Sequence, residues 1–531
     1  MGRLLILVSL LILAGCGGGG SSGVVDESSS KFARQNKSID IDSSKRVYRI
    51  TNAKDSTLEL NIKEPKDIYV VVSSKFNNQK VSVDTKSYSY TDNKDIDFSS
   101  ANRVLPFPFK KVDTILMRKE INNILFDKSL TPNYRLTNES NRTINDISNY
   151  SSANFCIGMD SNHKCTSYIS ASSKKVIKDI QTPFGTKSLV IWLEKGNSLS
   201  QDSIDKLADI FLKSGPNNDI YDWETNIFGE EWESNANVID SKLIAKSDII
   251  DILIYDMNNI SLAGYFWGKD NFKKSAIEAS NEKIMFYINS ELLKKDPKET
   301  YTTLVHEFQH MIHFYQRSVV KGIEDSAWYD ELMAESIEDL LSTKIGYKGP
   351  RNVDPNDGSA GEAGNRGGRY PNFNRYNSAS LTTWQNSPAD YSKVSAFGTY
   401  LLRNYGGANL LNRMMFSNNQ DEYAILDATG ESNFGDLIAN WGSAVILSDI
   451  INAEDKYRYN FGDFKYVDFN GITYELGSIN FFNYTPNPQF RSSAILDKNA
   501  NLYYKLGSNL RGSINLNVSL PIGGDITIIA K

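Results

Sequence analysis

The 531-residue chain predicts an α+β fold: a mixed sheet with a histidine-bearing helix, then a helical subdomain, flanked by small β-domains. Three observations predict it. Segments near both ends alternate apolar and polar residues with period two, the pattern of half-buried strands. Between them, short apolar runs and amphipathic stretches share one unit. Beyond an irregular, Gly-, Asn- and Pro-rich segment from Gly346 to Asp390, helical texture runs from Tyr391 to Phe416 and from Phe434 to about Ala453.

In chain order, Met1-Gly2-Arg3 is a short positive start. The apolar run from Leu4 to Leu13 is too short to span a bilayer as a stable helix. Its end, Leu13-Ala14-Gly15-Cys16, resembles a bacterial lipoprotein cleavage box. That resemblance implies that residues 1–15 are removed, that Cys16 carries a lipid, and that the chain is held at the bacterial cell envelope, outside the cytoplasm. Gly17 to Gly23 is all Gly and Ser, so 16–45 reads as a flexible tether. A β-domain is expected over 46–130, from Val47-Tyr48-Arg49-Ile50, Leu58-Glu59-Leu60-Asn61-Ile62 and Asp67 to Val72. The polar stretch 133–173 has no clear pattern.

The central unit is expected over 180–455. Ser188 to Leu193 reads as a buried strand. Ser200 to Ser214 reads as an amphipathic helix with Ile204, Leu207, Ile210, Phe211 and Leu212 on its apolar face. Ile249 to Tyr255, Leu262 to Gly268 and Lys283 to Ile288 read as further strands. A helix then starts near Pro297 or Thr300. A second β-domain is expected over 456–531, from runs such as Ile514 to Val518 and Asp525 to Ile529.

A net charge of −6 without a dense Lys/Arg patch argues against a nucleic-acid partner. Besides Cys16 the chain has only Cys156 and Cys165. In an exported protein such a pair predicts a disulfide closing a small loop. His163 lies between them, which leaves a Cys-His-Cys metal site as the alternative. No Asp-rich segment has the spacing of a calcium loop, so Ca2+ has no support.

Three of the four histidines fall in His306-Glu307-Phe308-Gln309-His310-Met311-Ile312-His313. His-Glu-Xaa-Xaa-His is a zinc signature. At about 100° per residue, His306 and His310 share one face of a helix, one turn apart, and both imidazoles can reach one ion. Glu307 beside them is placed to take a proton from a zinc-activated water. Catalytic zinc has three protein ligands and one open position. A metzincin pattern would place glycine at 313 and histidine at 316; the chain has His313 and Gln316. Asp325 to Glu335 reads as a following helix, started by Asp325 or Ser326, with Glu331 and Glu335 on one face.

His306 to His310 followed by Trp328-Xaa-Xaa-Glu331-Xaa-Xaa-Ala334-Glu335 resembles the gluzincins, the thermolysin and aminopeptidase N superfamily. The wider string to Tyr315 resembles the hyicolysin-type bacterial neutral metallopeptidases most. The resemblance implies a zincin catalytic unit, one Zn2+, and hydrolysis of protein or peptide substrates. It assigns Glu331 as the third ligand and Glu335 as the carboxylate that holds a ligand histidine by its other nitrogen. Asp330 and Leu332 depart from the Asn and Gly common in the aminopeptidase branch, and His313 stands where Asn is expected. His313 reads as a hydrogen-bonding or cleft-floor residue, because a fourth ligand would close the open position.

A transition-state donor is also needed. No histidine follows His313, so the resemblance points to a tyrosine on a later helix, Tyr391, with Tyr400 and Tyr405 as alternatives. Zincins bind peptides by strand addition to a sheet edge; Leu262 to Gly268 is the candidate edge, its Ala263 and Gly264 allowing close backbone approach. The Gly-Xaa-Met-Glu-Asn element of aminopeptidases is absent from the sequence, which favours an endopeptidase. The competing reading is a surface adhesin or binding lipoprotein with an inactive zincin fold.

Overall fold

The computed structural model describes residues 31–88, positions 125 and 147, and 151–531 except 234, 260 and 261. The segment 1–15 expected as a signal, Cys16 and the glycine run lie outside the described residues, as does most of 89–150.

The chain opens with β1 (Ala33–Ile41), β2 (Val47–Ser74) and β3 (Gln79–Tyr88). Then come β4 (Ser152–Met159), β5 (Cys165–Thr182), β6 (Gly185–Glu194), the helices α1 (Gln201–Phe211), α2 (Ile220–Phe228) and α3 (Ala236–Ile239), and β7 (Ile249–Tyr255), β8 (Gly264–Phe266) and β9 (Ile284–Asn289). Helices follow: α4 (Ser290–Lys295), α5 (Pro297–His313), a π-helical turn (Phe314–Val320), α6 (Ala327–Leu341), α7 (Tyr370–Arg375), α8 (Pro388–Tyr405), α9 (Ala408–Phe416), α10 (Asp421–Thr429) and α11 (Phe434–Ile446). The chain closes with β10 (Lys465–Phe469), β11 (Ile472–Leu476), β12 (Ser493–Leu496), β13 (Ala500–Ser519) and β14 (Gly524–Ala530). The fold is α+β, as expected. Among the described residues no helix is long and apolar enough to cross a membrane.

The central sheet has the order β4-β5-β6-β7-β9-β8. β6, β7 and β9 run parallel, and every residue of β7 and β9 is buried. Burial on both faces is why these strands read as continuous apolar runs rather than alternating ones. β8 is the outer strand, antiparallel to β9. The Cys156–Cys165 disulfide is formed and ties β4 to β5.

Local signals start the helices where expected. The Ser200 hydroxyl caps α1 through Ser203 N, and α1 buries Ile204, Leu207 and Phe211. Asp296 caps α5 through Glu299 N, with Pro297 at its first turn, where its missing N–H costs nothing. α5 packs on the helices before it through Phe308, whose ring meets Phe211 at 5.1 Å and Tyr221 at 5.5 Å. One expectation fails at α6. Ser326 stands at the cap position, but its hydroxyl bonds Asp421 and makes no cap, while Asp325 is taken by Arg317 and His313.

The two terminal regions, expected as separate β-domains over 46–130 and 456–531, share one sheet of order β1-β2-β13-β3-β12. β2 pairs with β13 from Ser74↔Ala500 to Ser56↔Val518. β14 lies between two arms of β2: Ile526 pairs with Ile50 on one side and Val72 on the other. Side chains alternate between two cores. Ile68, Val70 and Val72 face a core private to this sheet, with Leu502, Leu516 and Ile528. Tyr69, Val71, Tyr503 and Ile529 join the main core instead. α11 docks there, and Arg49 bridges Asp436 of α11 and Asp525 of β14, each at 2.6 Å. The tether expected over 16–45 is also shorter, since β1 pairs with β2 through Ser38↔Glu59 and Ile39↔Leu60.

Candidate metal centre

α5 and α6 cross so that three side chains converge. His306 Nε2 lies 3.1 Å from Glu331 Oε2, and His310 Nε2 lies 3.6 Å from the same oxygen. Two ligands each about 2 Å from one ion, at a tetrahedral angle, stand roughly 3.3 Å apart. These two spacings bracket that value and all three ligand atoms lie within 4.8 Å of one another, so the donor set suits a single tetrahedral divalent ion. Each imidazole turns Nε2 inward and is braced at Nδ1: His306 by Glu338 at 2.6 Å, His310 by Asp330 at 2.9 Å. Burial works against a charged His306, but hydrogen bonds and charge from Glu331 and Glu338 outweigh it and raise its pKa well above the ordinary value. The electrostatics that favour a proton there equally favour a metal cation. Glu307 sits beside this group on α5, buried to 7% exposure.

A second trio, His306, Glu335 and Glu338, also brings ligand atoms within 4.8 Å of one another. Both its carboxylates are engaged: Glu338 by His306, and Glu335 by Arg369, whose Nε donates to Oε2 at 2.9 Å and whose Nη2 donates to Oε1. The expectation that Glu335 holds a ligand histidine is therefore corrected. Glu335 stands one turn beyond Glu331, under the irregular wall segment that delivers Arg369. Glu338, two turns beyond Glu331, reaches His306 instead.

His313 stays off the metal group. Its Nε2 is 3.0 Å from Asp325 Oδ2, and its Nδ1 faces Asp330 Oδ1 at 3.3 Å. Tyr391 donates to Asn386 at 3.1 Å, packs edge-on against Trp384 and lies 5.5 Å from the Arg369 guanidinium. It is thus linked to the group around His306 through Arg369 and Glu335. The alternatives point elsewhere. Tyr400 is buried and donates to Lys456 O, and Tyr405 donates to Glu431.

Arg369, Asp330 and Glu338 are the residues that sequence reasoning missed. Glu338 was legible in principle, at seven residues and two turns beyond Glu331 on one face. Arg369, a lone arginine after Gly367-Gly368, carried no spacing signal. The edge strand is where expected, but for another reason. A Cβ at Gly264 would lie 2.6 Å from Tyr287 O and 2.8 Å from the Thr303 methyl of α5, so its bareness lets β8 wedge between β9 and the histidine helix.

The peptidase M30 family model matches residues 170–479, more than half of the chain. The chain belongs to the peptidase M30 family. A stretch of 147 residues is 26% identical to the neutral metalloprotease ShpI of Staphylococcus hyicus, covering 24% of this chain and 33% of that protein. The chain therefore spans about a third of the length of that relative. The family match takes in the central sheet from within β5 onward, α5, α6 and the helical subdomain, and leaves out β4 and the whole terminal sheet.

Proposed function

We propose that this chain is a zinc-dependent endopeptidase that hydrolyses protein substrates outside the cytoplasm, anchored at the cell envelope through lipid on Cys16. The convergence of His306 Nε2, His310 Nε2 and a Glu331 oxygen on one point carries the reading. Family membership and the metalloprotease relative support it; Leu13-Ala14-Gly15-Cys16 supports the anchor.

His306, His310 and Glu331 would hold the zinc, which when bound would supply Lewis acidity for the scissile carbonyl and the attacking water. Glu307 takes the proton of the attacking water and passes it to the departing amine. Asp330 and Glu338 hold the two imidazoles in the tautomer that points Nε2 inward. Tyr391 and Arg369 are the donors for the substrate oxygen that gains charge. Arg369 is well suited to that role, because Glu335 holds two of its nitrogens, its side chain is 36% exposed, and Nη1 has no hydrogen-bond partner among the described residues. The outer strand β8 offers the edge on which an extended peptide pairs.

The deciding experiment pairs metal analysis of the purified protein with casein cleavage. Glu307→Gln is expected to keep zinc and lower hydrolysis on the order of 10²–10⁴-fold, the usual share of general-base catalysis. Near-normal turnover would remove Glu307 from the mechanism. A wild-type protein that binds zinc and cuts nothing would instead favour the adhesin reading.

A further inference from the structure

The two ligand imidazoles are braced to different depths. His306 is held by Glu338 of α6. His310 is held by Asp330, and behind Asp330 the structure continues. His313 faces Asp330 with Nδ1 and Asp325 with Nε2. Asp325 receives Arg317 in a two-pronged pair, Nε to Oδ2 at 2.6 Å and Nη2 to Oδ1 at 2.7 Å. Arg317, fully buried in the π-helical turn, gives its remaining donors to the carbonyls of Met414, Met415, Ser417 and Asn419. Such a guanidinium is clamped at both ends, and the clamp fixes the Asp325 carboxylate.

Asp325 can only accept from these donors, so the shared proton in its contact with His313 sits on Nε2. With Nε2 committed to Asp325, His313 meets Asp330 through the 3.3 Å approach of Nδ1 to Oδ1, a close contact without a hydrogen bond. The imidazole fills the gap between a fixed carboxylate and the one that aims His310. We propose that His313 is a positioning residue of the metal centre, transmitting the rigid Arg317–Asp325 pair through Asp330 to His310. The inference rests on the metal reading above, which names His310 as a ligand but gives His313 no part. It also accounts for the third histidine of the motif, three residues beyond His310 on the same helical stripe.

Carboxylates that orient ligand histidines contribute about 10–100-fold to metal affinity; a group one layer further out is expected at the lower end. The test uses the whole chain, stripped of metal and titrated with zinc in competition with a chromophoric chelator. His313→Phe is expected to weaken zinc binding about tenfold. His313→Gln, which still donates to Asp325, is expected to recover most of the loss. In an Asp330→Ala background, His313→Phe is expected to add nothing, because the link to His310 is already cut. Zinc affinity within twofold of wild type for His313→Phe, or an equal loss with and without Asp330, would overturn the proposal. If His313→Phe does not fold, His313→Ala takes its place in the same cycle and is judged by the same outcomes. A wild-type chain that binds no zinc strikes down the metal reading itself, which separates the two failures.

Discussion

Glu335 and Glu338 both lie on the α6 face that carries Glu331, yet they serve different partners. Helical spacing made His306, Glu307, His310 and Glu331 legible in sequence, because four-residue intervals place side chains on one face wherever the helix ends up. It could not choose between carboxylates at i+4 and i+7. That choice depends on how α5 crosses α6, and on Arg369 arriving from a segment without periodicity. Glu338→Ala is expected to weaken zinc binding 10–100-fold by chelator competition, whereas Glu335→Ala leaves zinc in place and loosens Arg369. The reverse ranking would restore Glu335 to the histidines. Asp325 carries a pH consequence. Burial alone would raise its carboxyl, but hydrogen bonds and charge from Arg317 and His313 hold it below the ordinary 3.8. A depressed acid contributes stability that is present above its unfolded pKa and lost as pH falls through the folded one. Asp325→Asn is therefore expected to lower stability near neutrality and to flatten the acid limb of a denaturation profile below about pH 4. An acid limb as steep as wild type would refute this.

At the scale of elements, β6, β7, β9, α1 and α5 matched their sequence patterns, since each buries a continuous run or a clear stripe. β8 has only three residues, and the π-helical turn has no sequence signature of its own. The contact between α6 and α8 was also hidden, because it depends on a missing side chain. A Cβ at Gly398 of α8 would collide with the Ser336 hydroxyl of α6, which is itself tied to Leu332 O at 2.6 Å. Gly398→Ala is expected to cost about 1–3 kcal/mol through overpacking, against a gain of about 1 kcal/mol in helix propensity. Adding Ser336→Ala is expected to remove the clash and leave the double variant at or above wild-type stability by chemical denaturation. Additive costs in the two single variants would show that the helices do not meet at this point.

For the molecule as a whole, the terminal regions declared themselves as strands but not as partners. Alternation reports a half-buried strand and is silent about which strand lies beside it. The pairing of Val71 with Tyr503 spans more than four hundred residues, and nothing local encodes it. Truncation after residue 490 removes β12, β13 and β14. It is expected to leave 31–88 open to limited proteolysis and to lower the stability of the central unit, because Tyr503 and Ile529 pack into its core. Unchanged protease resistance of 31–88 in the truncated chain would contradict the shared sheet.

The bonds of Ala530 to Arg46 and of Lys531 to Asp67 extend the ladder by which β14, late in the chain, closes between the two arms of β2, early in it. The segment that the peptidase M30 family model matches is thus a long excursion between two halves of one clasp. As the chain is made, β1 can pair with β2 at once, but the edge of β2 that takes β13 and β14 has no partner until more than four hundred residues have followed. A chain cut before Ala500 would leave that edge of β2 open to pairing with a neighbouring molecule.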